Sequence, residues 1–206
     1  MLGCDFWAFQ AVKVLLYCFL ADGLIWQTAC ADVPFVKVAI DGHYVYVVQD
    51  ISEKSETKGW ISEDMQKRYA PSALWIPSLV GLHPIDSLVR SYLKCSQVDP
   101  TNAFPYLTDA WKGSERVRAL ENARNEIGLV IKHYDEYQRQ YVGIVTQGHK
   151  RIMCNFFLPQ PSFLPDPLSR YISVNDGGYG FWHLEYDMKT HACMNLQING
   201  PWEHDW

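Results

Sequence analysis

Three ionisable side chains near the C-terminus alternate along a stretch whose pattern predicts a β-strand. His183, Glu185 and Asp187 stand two residues apart, so on a strand they project from one face of the sheet. An imidazole and two carboxylates on one face can bind Zn²⁺ or act as general acid and base. Alternatively, they form the solvated side of a strand whose other face packs on the core. The absence of H-E-x-x-H and C-x-x-C motifs from the sequence favours this second interpretation.

A cysteine on a neighbouring predicted strand offers a second chemistry. Cys154 with His183 or His149, oriented by Asn155, would make a nucleophilic thiol–imidazole pair. Reactive cysteines lie in exposed, electropositive surroundings, whereas Cys154 lies in a mainly apolar stretch. We therefore expect a core or disulfide-bonded cysteine. The predicted bonding partner is Cys193, because both residues fall on predicted strands of one sheet. The alternative is that Cys95, Cys154 and Cys193 are all small buried apolar residues.

Aromatic residues make up 14% of the chain and are frequent on the predicted C-terminal strands. Trp182, Tyr186 and Tyr141 are candidates for lining a ligand-binding groove. The simpler interpretation is that they pack the sheet against the helices.

An arginine occurs where the second predicted helix gives way to a strand. We expect Arg139 to pair with a carboxylate such as Asp187 or Glu136 and to have a structural role.

Composition limits the class of protein. The chain has 206 residues, 48% hydrophobic and 20% charged, which is typical of one globular domain. The formal net charge is −5, so no basic field indicates a nucleic-acid partner. No motif for a cofactor stands out, and we expect none to be bound.

Residues 1–31 are predicted to form a segment separate from the domain. An apolar run at 14–21 is too short to span a bilayer, and Ala29-Cys30-Ala31 supplies small residues suited to cleavage. The sequence therefore predicts a signal peptide over residues 1–31, cleaved after Ala31, and a single domain over 32–206. Two alternatives stay open, lipoprotein processing at Cys30 and an N-terminal helix retained in the fold. No membrane span is expected in the mature chain.

The N-terminal part of the domain has a hairpin signature. Apolar residues alternate from 35 to 49 around Asp41-Gly42, and an Asp-Gly pair between alternating runs favours a tight turn. Residues 51–70 are polar and without period, which predicts a solvated loop or short helix.

Two helices are expected next. Apolar residues recur at three- and four-residue spacing over 82–93, and again over 114–134. Ser114 is a suitable N-cap for the second helix.

The C-terminal part changes to strand patterns. A second hairpin is predicted over 141–158, and the prolines between 159 and 167 predict a loop. Further strands are expected at 170–174, 180–188 and 193–198. Together they predict a four- or five-stranded antiparallel meander.

Several short motifs occur in a fixed order. These are W-x-P-S at 75–78, R-Q-Y-V-G-I at 139–144, N-F-F at 155–157, D-G-G at 176–178, F-W-x-L-x-Y-D at 181–187 and N-G at 199–200. The set resembles a group of small exported proteins of Gram-negative bacteria with no assigned activity, and the resemblance covers roughly residues 70–200. It implies export and one α+β domain, names no substrate and carries over no catalytic residue.

The sequence thus predicts an α+β fold with an N-terminal β-hairpin, two helices, and then the antiparallel meander packed on the helices. The function expected is a periplasmic or secreted, non-enzymatic binding or interaction module of the bacterial envelope. Its partner would be a protein or a small-molecule ligand. The alternative is an envelope hydrolase that uses a metal site or a thiol on the meander.

Overall fold

The computed structural model describes residues 19–20, 23–24, 35–40, 42–48, 73–108, 112–159, 167, 171–172, 174 and 177–199. Two short strands, β1 (Phe19–Leu20) and β2 (Gly23–Leu24), pair with each other. The body contains β3 (Phe35–Ile40), β4 (His43–Val48), β5 (Ala73–Trp75), α1 (Ile85–Val98), α2 (Gly113–Lys132), β6 (Gln138–Thr146), β7 (His149–Phe157), β8 (Phe181–Asp187) and β9 (Cys193–Ile198). The fold is α+β.

One seven-stranded sheet joins the N-terminal hairpin to the meander. The strand order is β3-β4-β6-β7-β8-β9, and β5 pairs with β6 beyond the end of β4. The C-terminal strands β6, β7, β8 and β9 form the predicted four-stranded antiparallel meander. The β4–β6 pair is parallel, so the sheet as a whole is mixed and has seven strands, which the sequence did not predict. The physical reason is that the long connection through both helices returns the chain to the same end of the sheet, as a parallel pairing requires.

A glycine with a positive φ angle lies in the turn of each of the two hairpins. Gly42 has φ 81° between β3 and β4, and Gly148 has φ 79° between β6 and β7. A positive φ costs glycine little, and tight two-residue turns require it. The hairpin predicted around Asp41-Gly42 and the second hairpin of the meander are both confirmed.

Both predicted helices form, with shifted ends. Helix α1 begins directly after Pro84 and extends beyond the predicted boundary to Val98. Helix α2 begins at Gly113, so Ser114 lies inside it and is not its N-cap. Lys112 is extended and Gly113 takes φ 59°. The helix therefore starts at Gly113, one residue before Ser114.

The core lies on both faces of the sheet. One face packs on the helices, and this core includes Ile85, Val89, Ile127 and Val130 together with the inward side chains of the strands. The opposite face has its own apolar cluster, to which Tyr171 and Ile172 belong. Residues 171, 172 and 174 lie outside any strand, so the strand predicted there was wrong. Side-chain amides of the sheet bind the main chain of Ile172.

Several predictions fall outside the described residues. These are most of the proposed signal peptide with its cleavage position, the polar segment 51–70 and most of the proline-rich stretch. Among the helices that the structure describes, none combines the length and apolar character needed to cross a bilayer.

Candidate functional site

The predicted acid–base residues of β8 do share one face of the sheet. His183, Glu185 and Asp187 point away from the helices, whereas Trp182, Leu184 and Tyr186 lie in the core on the helical face. The face is not solvated, however. Glu185 and Asp187 are 0% and 3% exposed. The interpretation as a solvated strand side was therefore wrong, because the chain covers this face as well as the helical one.

The carboxylate of Glu185 is fully engaged by neighbouring side chains. Arg151 Nη1 donates to Oε2 at 2.7 Å, and Asn195 Nδ2 donates to Oε1 at 3.0 Å. Asn195 reaches the carboxylate from a bulge in β9, where it takes φ 54°. A carboxylate that is 0% exposed, with a guanidinium on one oxygen and an amide on the other, gives a substrate no access to act on it as a general base.

The carboxylate of Asp187 forms a turn. Its Oδ1 accepts hydrogen bonds from the main-chain N–H groups of Lys189 and Thr190 at 2.9 and 3.0 Å. Its Oδ2 lies 3.6 Å from Arg151 Nε and 3.8 Å from His149 Nδ1. Arg151 is thus the cation between the two buried carboxylates. Within the described part of the chain no three metal-ligating side chains converge on one point.

Cys154 lies on the other face from His183. Opposite residues of paired strands share a face, and Cys154 pairs with Leu184 while Asn155 pairs with His183. The cysteine is fully buried in the helix-side core, and this burial raises the pKa of its thiol well above its usual value. The geometry therefore separates the proposed thiol and imidazole by the thickness of the sheet.

The disulfide predicted between Cys154 and Cys193 is not formed. Both are free cysteines, as is the exposed Cys95. Strand β8 lies between β7 and β9, and Cys154 pairs with Leu184 whereas Cys193 pairs with Tyr186, so the two residues are more than two strand spacings, or over about 9.5 Å, apart. A disulfide needs Cα atoms about 5.5–6 Å apart. Shared membership of one sheet was not sufficient, because bonded cysteines must be on adjacent strands.

The environments of these thiols predict different reactivities. We expect iodoacetamide to modify Cys95 quickly in the native protein, and Cys154 and Cys193 only after unfolding. Burial raises the pKa of Cys193 to about 12, which leaves little thiolate at neutral pH. Peptide mapping of timed alkylation would check this for each cysteine. Native modification of Cys154 as fast as that of Cys95 would contradict it.

The aromatic candidates belong to the core. Trp182, Tyr186 and Tyr141 are each no more than 1% exposed. Trp182 stacks on Phe156 with ring centroids 3.8 Å apart, and the edge of Tyr137 meets it at 5.6 Å. These side chains join sheet and helices and do not line an open groove.

A polar row crosses the face of the sheet opposite the helices. It follows from strand register and was not visible in the sequence, where its members are dispersed. Successive paired residues on the six strands from β3 to β9 are Lys37, Tyr46, Gln140, Asn155, His183 and Gln197. Gln140 and Asn155, at its centre, are buried.

Side-chain amides on this face bind polypeptide main chain. Gln140 Oε1 accepts from Ile172 N at 2.8 Å, and its Nε2 donates to the Pro167 carbonyl at 2.9 Å. Asn155 Nδ2 donates to the Ile172 carbonyl at 2.8 Å. A third amide, that of Asn199, donates to the Val174 carbonyl. The three amides hold a crossing segment by its peptide groups, independently of that segment's side chains.

A second polar cluster lies on the helical face. Arg139 is 1% exposed, and its partner is Asp86 of α1, with Nη2 and Nε at 3.0 and 3.2 Å from Oδ1. The prediction of Asp187 or Glu136 as partner was wrong, since Asp187 lies on the other face of the sheet. Asp86 Oδ2 also accepts from Arg90 Nε at 3.0 Å.

The histidine at the edge of this cluster should make stability depend on pH. His43 Nε2 lies 3.4 Å from Arg90 Nη2 and 3.7 Å from Asp135. Burial and the nearby Arg139 and Arg90 charges lower the pKa of His43 below 6.5, against the opposing effect of Asp86 and Asp135.

A lowered folded-state pKa means that the unfolded chain binds the proton more readily. The contribution of His43 to the free energy of unfolding is therefore complete above pH 6.5 and declines as pH falls below that value. We expect urea unfolding of His43→Gln to vary less between pH 7.5 and 5.5 than that of the wild type. Identical pH dependence in the two proteins would contradict the assignment.

No protein-family model, curated protein or solved structure matches the chain. The resemblance of its motif set to exported bacterial proteins stays a prediction.

Proposed function

We propose that this chain is an exported interaction module of the bacterial envelope and that a polypeptide partner binds the sheet face opposite the helices in place of the chain's own segment at Pro167, Ile172 and Val174. The observation that carries the proposal is the main-chain recognition by Gln140, Asn155 and Asn199. Amides directed at peptide groups recognise extended polypeptide without a fixed sequence, which suits a protein partner.

The positions of the candidate catalytic residues offer little support for a hydrolase. Glu185 is held by Arg151, and Cys154 lies on the far side of the sheet from His183. A nucleophile and its base must lie within hydrogen-bond reach of each other. The proposed role is therefore binding.

Cross-linking in an exporting host tests the binding role. A photoreactive side chain would replace Tyr44 or Lys189, both exposed at the sheet, or Lys94 or Arg118, exposed on the helices. We expect a discrete cross-linked partner from at least one sheet position and none from the helix positions. Equal adducts from all four, or none from any, would contradict the proposal. Stoichiometric zinc in protein purified without a chelator would also count against it.

Export is tested separately by the mass of the mature N-terminus. We expect a chain beginning at Asp32 in the envelope fraction. An intact Met1 in fractionated cells would refute export while leaving the binding role open to the cross-linking result.

A further inference from the structure

The chain's own crossing segment shows what a polypeptide needs in order to bind the face opposite the helices. The N–H of Ile172 donates to Gln140 Oε1 and its carbonyl accepts from Asn155 Nδ2, each at 2.8 Å. Two residues further on, the Val174 carbonyl accepts from the amide of Asn199. These contacts use main-chain donors and acceptors, which almost every residue of a polypeptide provides. They therefore hold a segment without selecting its sequence.

The two central amides favour exchange of one segment for another over an empty site. Gln140 and Asn155 pair across β6 and β7, and Asn155 Nδ2 also donates to Gln140 Oε1 at 3.3 Å. Gln140 is 0% exposed and Asn155 is 5% exposed. Because buried amides are costly to leave without hydrogen bonds, removing the bound main chain is unfavourable unless another main chain replaces it.

Selection of sequence falls to two buried side chains of the segment. Tyr171 is 7% exposed and Ile172 is 2% exposed. Both belong to the apolar cluster of this face, whose other buried members come from the strands: Phe35, Tyr46, Val48, Val142, Ile144, Met153, Phe157 and Phe181. A shorter side chain would leave a cavity in this cluster, and a polar one would lose its hydrogen bonds to water. A replacing segment must therefore fill the same two positions.

We propose that the partner segment carries an aromatic residue directly followed by isoleucine or valine, in the positions of Tyr171 and Ile172, and that the chain's own segment competes with it. This inference rests on the proposed function and names the sequence that the binding face selects. The amides supply the hold on the main chain, and the two side chains supply the selectivity. Because the chain's own segment is tethered, it competes at a high effective concentration, so weakening it strengthens partner binding.

The test uses the full chain and a dye-labelled synthetic peptide with the sequence of residues 167–175, Pro-Leu-Ser-Arg-Tyr-Ile-Ser-Val-Asn. Fluorescence anisotropy measures its binding. Ile172→Ala weakens the chain's own segment, because part of the apolar cluster is then unfilled. We expect this variant to bind the peptide about tenfold more tightly than the wild type does. If Ile172→Ala does not fold, Ile172→Val takes its place, with an expected gain of about threefold.

The same substitution in the other core separates this effect from general loosening of the fold. Ile127→Ala removes the same atoms from a side chain that is 0% exposed on the helical face. We expect it to bind the peptide no more tightly than the wild type does. Equal gains in Ile127→Ala and Ile172→Ala would overturn the inferred competition.

Two altered peptides test the selectivity. Serine in place of the isoleucine, or alanine in place of the tyrosine, should weaken binding to Ile172→Ala by about tenfold. Equal binding of all three peptides would overturn the inference, as would failure of the unaltered peptide to bind. So would a wild-type dimer in sedimentation that dissociates when the peptide is added, because the partner would then be a second copy of the chain.

The cross-linking experiment does not depend on these peptides. A discrete partner cross-linked from Tyr44 or Lys189, together with equal binding of all three peptides, would refute the preferred sequence and leave the binding role standing. Failure of the inference can therefore be told apart from failure of the proposed function.

Discussion

Replacing Gly143 by alanine is expected to destabilise the protein by about 3 kcal/mol or more. A Cβ at this position of β6 would lie 2.1 Å from the carbonyl oxygen of Trp75 and 2.8 Å from its indole ring. Trp75 cannot move aside freely, because its strand pairs with β6 and its Nε1 donates to the Ile144 carbonyl at 3.0 Å. The added methyl group must therefore displace main chain.

Urea unfolding of Gly143→Ala measures this loss, and Gly180→Ala is the matched control. At Gly180 the nearest neighbour of an added Cβ is a Leu158 methyl group at 3.9 Å, an ordinary contact. We expect less than about 1 kcal/mol there. Faster amide exchange in 73–75 of Gly143→Ala would show that β5 has been displaced. Equal stability of the two variants would contradict the close approach.

Asp86→Asn should be the most damaging change to the charge clusters, with a loss of about 3–5 kcal/mol. The substitution keeps the shape of the side chain and removes its charge. Arg139 is then a buried cation whose remaining partners are the Tyr137 carbonyl at 2.6 Å and the Tyr134 carbonyl at 3.3 Å. Carbonyl oxygens satisfy its N–H groups without balancing its charge.

Asp135→Asn is the control within the same cluster. The Asp135 side chain is 73% exposed and pairs with Arg90 at the surface, so its loss should cost below about 1 kcal/mol. The double change Asp86→Asn with Arg139→Met should recover part of the stability of Asp86→Asn, because the uncompensated charge is gone. If the two single asparagine variants unfold at the same urea concentration, the buried pair is not the stabilising contact assigned here.

Local patterns in the sequence were sufficient to predict most of the helices and strands. Strand β9 has the predicted bounds, and the Asp-Gly turn forms where expected. Both helices follow the three- and four-residue spacing of apolar side chains. These features depend on interactions between residues close in the chain, and turn chemistry and periodicity report such interactions directly.

Predictions that depended on contacts between residues far apart in the sequence were less successful. The sequence placed His183, Glu185 and Asp187 on one face but assigned that face to solvent, since nothing local indicates Arg151 or the crossing segment at Ile172. The sequence identified Arg139 as a residue that pairs with a carboxylate but did not identify its partner Asp86, which lies 53 residues earlier in the chain. It gave no sign of the parallel β4–β6 pair, which fixes the polar row across the sheet.

By itself, therefore, the sequence determined the helices, the hairpins and the alternation of faces along each strand. Only the tertiary structure decided how the hairpins join into one sheet, which face is covered and which charges meet. The physical reason is that alternation is a property of one strand, whereas register between strands depends on how the whole chain closes on its core. Here register places six residues that are dispersed in the sequence in one row across the sheet.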